Sequence, residues 1–162
     1  MLLCAAMSVV LAARAPAQRI TSSERVAVAG ASVAYMAAAF VGAHLAIRDS
    51  LAEAPLGLRS HRRVRDEFLT GSGTALSPGL PMLAVHGITT AYLSGSNRAA
   101  FRAAGVLEVG GVLYTLGQLC EPITYRIARE PGAVPRSWIA SVTANILLPS
   151  LLTTVAARAR VH

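Results

Sequence analysis

Long apolar windows separated by short charged stretches dominate the pattern of this sequence. Charge-free windows cover residues 26–47, 68–97 and 137–157, and a fourth window at residues 103–120 contains a single charge, that of Glu108. A membrane-spanning helix needs about 20 mostly apolar residues to cross ~30 Å of hydrocarbon. Each window can supply one such helix. The pattern therefore predicts four transmembrane spans.

We expect an all-α fold in which one transmembrane domain covers residues 1–162 and forms an integral membrane bundle. The predicted spans lie at about residues 26–47, 78–95, 98–120 and 138–157. A short apolar segment from Met1 to Ala13 precedes them and is too short to cross a bilayer alone. We interpret it as a short N-terminal helix that is interfacial or partly inserted; a signal peptide and the end of a longer span are the alternatives.

Local signals mark the ends of the predicted spans. Thr21 and Glu24 have the spacing of a capping box ahead of the first span. Ser77 and Pro78 are typical of a helix start and predict where the second span begins. Glu121 precedes a proline, a position that disfavours helical backbone, so the third span should end there. These signals agree with the boundaries that the apolar windows suggest.

The composition supports a membrane location. Hydrophobic residues make up 54% of the chain and charged residues only 14%, whereas a soluble domain carries about a quarter charged residues. The net charge of +7 comes from arginine alone, since the chain contains no lysine. Because the arginines stand at the ends of apolar windows, anionic lipid headgroups are their nearest partners, and nucleic-acid binding is disfavoured. We expect a multi-pass protein of the cell membrane whose partner is the lipid bilayer.

Small residues recur every four positions in the first span. Gly30, Ala34, Ala38 and Gly42 would share one helix face and let a neighbouring backbone approach closely. The sequence therefore predicts a helix-packing face, although the abundance of alanine in this chain is an equally good explanation. A membrane protein partner or a second copy of the chain could also use such a face.

Polar side chains inside the predicted spans are the candidate functional residues. Glu108, Thr115 and Gln118 follow a helical spacing and form a polar stripe on the third span. His86 lies near the middle of the second span and Asn145 about two turns into the fourth. Counting residues from each membrane face places Glu108 within about one turn of both. The sequence thus predicts an intramembrane cluster of Glu108, His86 and Asn145.

Three classes of function remain open at this point. If the polar residues only tie helices together, the protein is a structural or accessory membrane subunit, which we favour. If the carboxylate and the imidazole share a proton, it is a small proton-coupled transporter. A lipid- or quinone-modifying membrane enzyme is the third possibility, and the sequence contains no catalytic motif that supports it. Cys4 and Cys120 have no metal-binding spacing, and we expect neither a metal nor a cofactor.

Overall fold

The computed structural model describes residues 19–51, 63–71 and 73–161. Helices dominate this part of the chain: α1 (Ser22–Arg48), α2 (Val64–Thr70), α3 (Leu80–Ala91), α4 (Asn97–Cys120), α5 (Pro122–Arg129) and α6 (Arg136–Val161). The strands β1 (Gly73–Thr74) and β2 (Ser77–Pro78) pair antiparallel and form a small hairpin, residues 73–78. The apolar helix expected at Met1–Ala13 lies outside the described residues.

Three helices of the described chain are long and apolar enough to cross a membrane: α1, α4 and α6. They correspond to the first, third and fourth predicted spans. The predicted capping box is confirmed, because the Thr21 side chain accepts from the Glu24 backbone while the Glu24 carboxylate accepts from the Thr21 backbone. The predicted end of α4 is also confirmed, since Glu121 has extended backbone ahead of its proline.

The predicted second span, residues 78–95, is not confirmed as a membrane-crossing helix. Helix α3 has only 12 residues, or about 18 Å of rise, and a single 3-10 turn at Tyr92–Ser94 follows it. Gly79, and not Ser77, occupies the N-cap position. Ser77 and Pro78 instead belong to the hairpin, where Gly73 adopts a φ of +144° that side chains rarely tolerate. The charge-free window thus divides into a hairpin and a short helix.

Helix α6 packs against both α1 and α4. It runs antiparallel to α4, because Gly105 lies against Arg160 at one end while Thr115 contacts Ser150 nearer the other. Gly42 near the end of α1 likewise lies against Ser141 near the start of α6. Helix α3 packs beside α1 and α4 and completes the bundle.

The outward surface of the bundle is strongly apolar. Val33 and Val41 on α1, Ile88 on α3, Leu116 on α4 and Leu147 on α6 are all more than half exposed. In water, contiguous exposure of this kind would be unfavourable, whereas hydrocarbon tails solvate it without cost. The long helices are therefore apolar on their outer as well as their inner faces, as expected for helices that contact lipid.

Candidate functional site

Glu108 forms an ion pair that ties α4 to α6. Its Oε2 lies 2.6 Å from Nη1 of Arg160, and both side chains are 29% exposed. The guanidinium lies over the Phe101 ring, 5.0 Å from its centroid. Gly105 provides the space, because a Cβ there would lie 3.0 Å from the Arg160 Cζ. One face of α4 therefore binds the arginine through Phe101, Gly105 and Glu108.

His86 lies in a different contact, between α3, α1 and α4. Its Nε2 is 2.7 Å from the Ser32 Oγ, and the whole residue is only 3% exposed. The rings of Tyr35 and Tyr114 lie with their centroids 5.4 Å and 5.6 Å from the imidazole. The two tyrosine rings are themselves stacked at 5.0 Å. A buried polar and aromatic cluster therefore surrounds His86.

Asn145 and Gln118 hold the hairpin. The Asn145 Nδ2 donates to the Leu76 carbonyl at 3.1 Å, and the Gln118 Nε2 donates to the adjacent Ala75 carbonyl at 3.2 Å. Both side chains are buried, at 2% and 7% exposure. The backbone of residues 75 and 76 is not helical, so its carbonyls need donors from elsewhere. Helices α4 and α6 supply these donors, one side-chain amide each, and the two amides together fix the hairpin in place.

The hairpin is seated against α1 at Gly42. A Cβ at this position would collide with the Leu76 carbonyl oxygen and would lie 3.0 Å from the Ser141 Oγ. Backbone atoms cannot move aside as the end of a flexible side chain can. Only glycine therefore permits this approach of the hairpin to the helix.

Thr115, the remaining residue of the predicted stripe, also contacts another helix. Its Oγ1 donates to the Gly111 carbonyl one turn earlier and lies 3.2 Å from the Ser150 Oγ of α6. The stripe thus faces α6 at Glu108 and Thr115, whereas Gln118 reaches the hairpin. Its members face other protein segments, yet they do not share one site.

The predicted Glu108–His86–Asn145 cluster is not brought together as one hydrogen-bonded site. Within the described residues, Glu108 pairs with Arg160, His86 bonds to Ser32, and Asn145 bonds to the hairpin and Ser141. The same part of the chain contains no group of three or more His, Cys, Asp or Glu side chains that could hold a metal. The three residues of the predicted cluster therefore lie in three separate contacts.

The four small residues of α1 do not form one packing face within the chain. Gly42 is buried, Ala38 is half-buried, and Gly30 and Ala34 are exposed. A four-residue repeat advances by about 40° more than one helical turn at each step, so it drifts around the helix. The buried face instead follows mixed three- and four-residue spacing and carries other small residues, among them Ala31, Ser32, Ala39, Ala43 and Ala46.

Several residues of these contacts were not predicted from the sequence. Ser32 and Tyr35 lie three residues apart on α1, a spacing that would place both on the face that meets His86. Arg160 appeared only as a charge that closes the last apolar window, although it lies within reach of α4. A polar residue in one span has its partner in another helix, and the sequence signal for that pairing is weak.

Comparisons of the chain with protein-family models, with curated proteins and with solved structures find no match.

Proposed function

We propose that this chain is a four-pass protein of the cell membrane that serves as a structural or accessory subunit. One observation carries the proposal: each of the five polar residues predicted inside the spans contacts a part of the chain outside its own helix. These contacts are Glu108–Arg160, His86–Ser32, Asn145–Leu76, Gln118–Ala75 and Thr115–Ser150. Polar side chains used in this way stabilise helix association in a bilayer. They build a scaffold and leave few groups for chemistry.

The segment from the hairpin to α4 supports a fourth crossing. Leu76 lies against Gly42 near one end of α1, and the Leu93 carbonyl accepts from Arg25 near the other end. Seventeen helical residues separate Gly42 from Arg25, which corresponds to about 26 Å of rise. The segment thus runs along a length of α1 close to the thickness of the hydrocarbon core. Its hairpin is enclosed by protein, a situation in which non-helical backbone is tolerated at depth.

A small proton-coupled transporter is the second candidate, and the broken second crossing favours it. Transporters often place a discontinuous helix beside their binding site, with irregular backbone buried between spans. Here the hairpin and the short α3 have that arrangement. On this view Glu108 would carry the proton and would have to leave Arg160 during each cycle.

Substitutions at the ion pair distinguish the two functions. We compare Glu108→Gln, Arg160→Gln and the double variant, each purified with an affinity tag from carbonate-washed membranes. If the pair is structural, each single change leaves one partly buried charge unpaired and lowers the stability in detergent by about 1–3 kcal/mol. The double variant removes both charges and should recover most of that loss. All forms that insert should retain the same co-purifying subunit or second copy.

Two results would contradict the structural role. Release of the chain into the carbonate supernatant would exclude an integral membrane protein altogether. Proton-coupled flux in vesicles that contain this chain alone, abolished by the stable double variant, would instead establish the transporter.

Thr154→Val serves as the control for a polar substitution on α6 that removes no contact between helices. Among the described residues, the exposed Thr154 hydroxyl bonds only to the Ser150 carbonyl of its own helix.

A further inference from the structure

A directed chain of hydrogen bonds links three side chains in the cluster around His86. The Thr90 Oγ1 donates to the His86 carbonyl at 2.9 Å, one turn earlier on α3. The same oxygen lies 2.5 Å from the Ser32 Oγ, which in turn lies 2.7 Å from the His86 Nε2. Ser32 belongs to α1, so these hydrogen bonds connect α1 with α3. Each of its two hydroxyl groups has only one hydrogen to donate.

Counting hydrogens fixes the direction of every bond in this chain. A carbonyl can only accept, so Thr90 uses its hydrogen on the His86 carbonyl and must accept from Ser32. Ser32 then has no hydrogen left for the imidazole and must accept from Nε2. With the opposite tautomer, the hydroxyl oxygens would lie 2.5 Å apart with no hydrogen between them, or Thr90 would lose its carbonyl bond. The directions of these hydrogen bonds therefore require that neutral His86 be the Nε2–H tautomer.

We propose that His86 is an internal proton acceptor of the bundle, oriented by Ser32 and Thr90 so that its Nδ1 takes up the proton. In the Nε2–H tautomer, Nδ1 carries the free lone pair. The proton comes from solvent hydronium, which leaves as water, and the ring gains one positive charge. Because residue 86 is only 3% exposed, a bound proton would place a positive charge in buried surroundings.

The surroundings of the ring bear on the charge that it would gain. Among the described residues, the titratable groups that face His86 are Tyr35 from α1 and Tyr114 from α4, whose ring centroids lie 5.4 Å and 5.6 Å from that of the imidazole. No carboxylate or guanidinium of the described chain makes a hydrogen bond or ion pair with the imidazole. The Glu108–Arg160 pair is neutral as a unit and lies in a separate contact. The proposal does not depend on the function proposed above.

Nitrogen-15 NMR of histidine-labelled protein in lipid nanodiscs tests the tautomer directly. The His86→Gln variant assigns the resonances of residue 86. In the wild type at neutral pH, we expect a protonated nitrogen signal from Nε2 and an unprotonated one from Nδ1. Ser32→Ala removes the acceptor, and the ratio of Nε2–H to Nδ1–H should fall about fivefold, the effect of losing one hydrogen bond of ~1 kcal/mol. Thr90→Val should change the ratio in the same direction.

Thr89→Val is the matched control for Thr90→Val. The Thr89 hydroxyl also bonds to a carbonyl one turn earlier, that of Val85, but it takes no part in the chain to Ser32. The control should leave the His86 signals unchanged. An Nδ1–H tautomer in the wild type, or an unchanged ratio in Ser32→Ala, would overturn the assignment.

Acidification of the same sample tests proton uptake. We expect the Nδ1 signal of the wild type to convert to a protonated one while Trp138, the one tryptophan in the chain, still reports a folded bundle. If the protein unfolds before Nδ1 converts, or if Nδ1 never converts, His86 is not an acceptor in the folded state and the proposal fails.

Discussion

Two segments that interrupt the α-helices of the bundle, the hairpin at residues 73–78 and the turn at residues 92–96, are held by different kinds of donor. In the turn, Arg25 donates to the Leu93 and Gly95 carbonyls and to the Asn97 side chain. In the hairpin, the neutral side-chain amides of Asn145 and Gln118 donate to the backbone carbonyls of residues 76 and 75. The turn is mostly exposed, whereas the hairpin is almost entirely buried.

The difference follows burial: a charged donor serves the exposed turn, and neutral donors serve the buried hairpin. A guanidinium near the surface keeps part of its hydration, but at the centre of a membrane it would cost about 2.5–3.5 kcal/mol on insertion scales. A side-chain amide supplies the same N–H group without a charge. The exposed Gly95 carbonyl of the turn can also bond to water if Arg25 is lost, whereas the buried carbonyls of the hairpin cannot. The hairpin should therefore depend on its specific contacts far more than the turn does.

The largest effect is expected where the hairpin meets α1. Gly42→Val places side-chain atoms where the Leu76 carbonyl and the Ser141 hydroxyl now lie, so the hairpin must move away from its seat. Overpacking of this kind typically costs about 1–3 kcal/mol, and displacing backbone should reach the upper end or prevent insertion. Thermal unfolding in detergent measures the loss.

Gly30→Val provides the control for this prediction, because a Cβ at Gly30 has no atom within 4 Å among the described residues. It should leave the unfolding temperature unchanged or slightly raised, since glycine disfavours helix interiors. Equal destabilisation by both substitutions would show that α1 packs through Gly30 as well, as the four-residue repeat suggested.

A smaller effect should separate the two donor types. Asn145→Leu leaves the Leu76 carbonyl without its donor in a buried setting, which costs about 1–3 kcal/mol. Arg25→Leu should cost less, because water can replace the guanidinium at the exposed turn. Hydrogen exchange measures both: amides of residues 73–77 should exchange about 5- to 100-fold faster in Asn145→Leu. A larger acceleration of exchange at the turn in Arg25→Leu than at the hairpin in Asn145→Leu would contradict this prediction.

The long helices were predictable because charge-free windows and local capping residues determine them. Thr21 with Glu24, and Glu121 before its proline, set helix ends through contacts within a few residues. The hairpin was not predictable in the same way. Its residues are uncharged and so continue the charge-free window, and the donors that make its buried backbone acceptable come from Asn145 and Gln118, far along the chain.

The pairing of polar residues also depended on tertiary structure. Counting residues from the membrane faces assumed that a regular helix begins at Pro78, yet α3 begins after a hairpin that is already buried. The relative depth of His86 and Glu108 stays a prediction, but the two residues have different partners, Ser32 and Arg160. The arginines at the ends of the windows were assigned to lipid headgroups, although Gly105 gives the Arg160 guanidinium room to reach Glu108. The partners of these residues could not be deduced from spacing.

The smallest effect concerns a polar contact just outside the spans, on the hairpin side of the bundle. The Trp138 Nε1 donates to the Asp49 Oδ2 at 2.6 Å, and the Arg48 guanidinium bonds to the same carboxylate. Hydrogen bonds from Arg48 and from Trp138, in that order, lower the pKa of Asp49 to about 2. Water reaches this carboxylate, so a charged donor is tolerated here as it is at the turn.

Acid should therefore disrupt this contact only at very low pH. The pKa of Asp49 is lower in the folded state than the ~3.9 of an unperturbed aspartate, so the contact contributes stability above pH ~4 and loses it as the pH falls through about 2. Because Trp138 is the single tryptophan, its emission reports the event, and we expect a transition centred near pH 2. Asp49→Asn should abolish that transition, whereas Asp66→Asn, on the exposed face of α2, should leave it in place. A midpoint near pH 4 in the wild type would mean that the carboxylate is solvated like an ordinary surface aspartate, and that Trp138 is held by the apolar contacts of its ring alone.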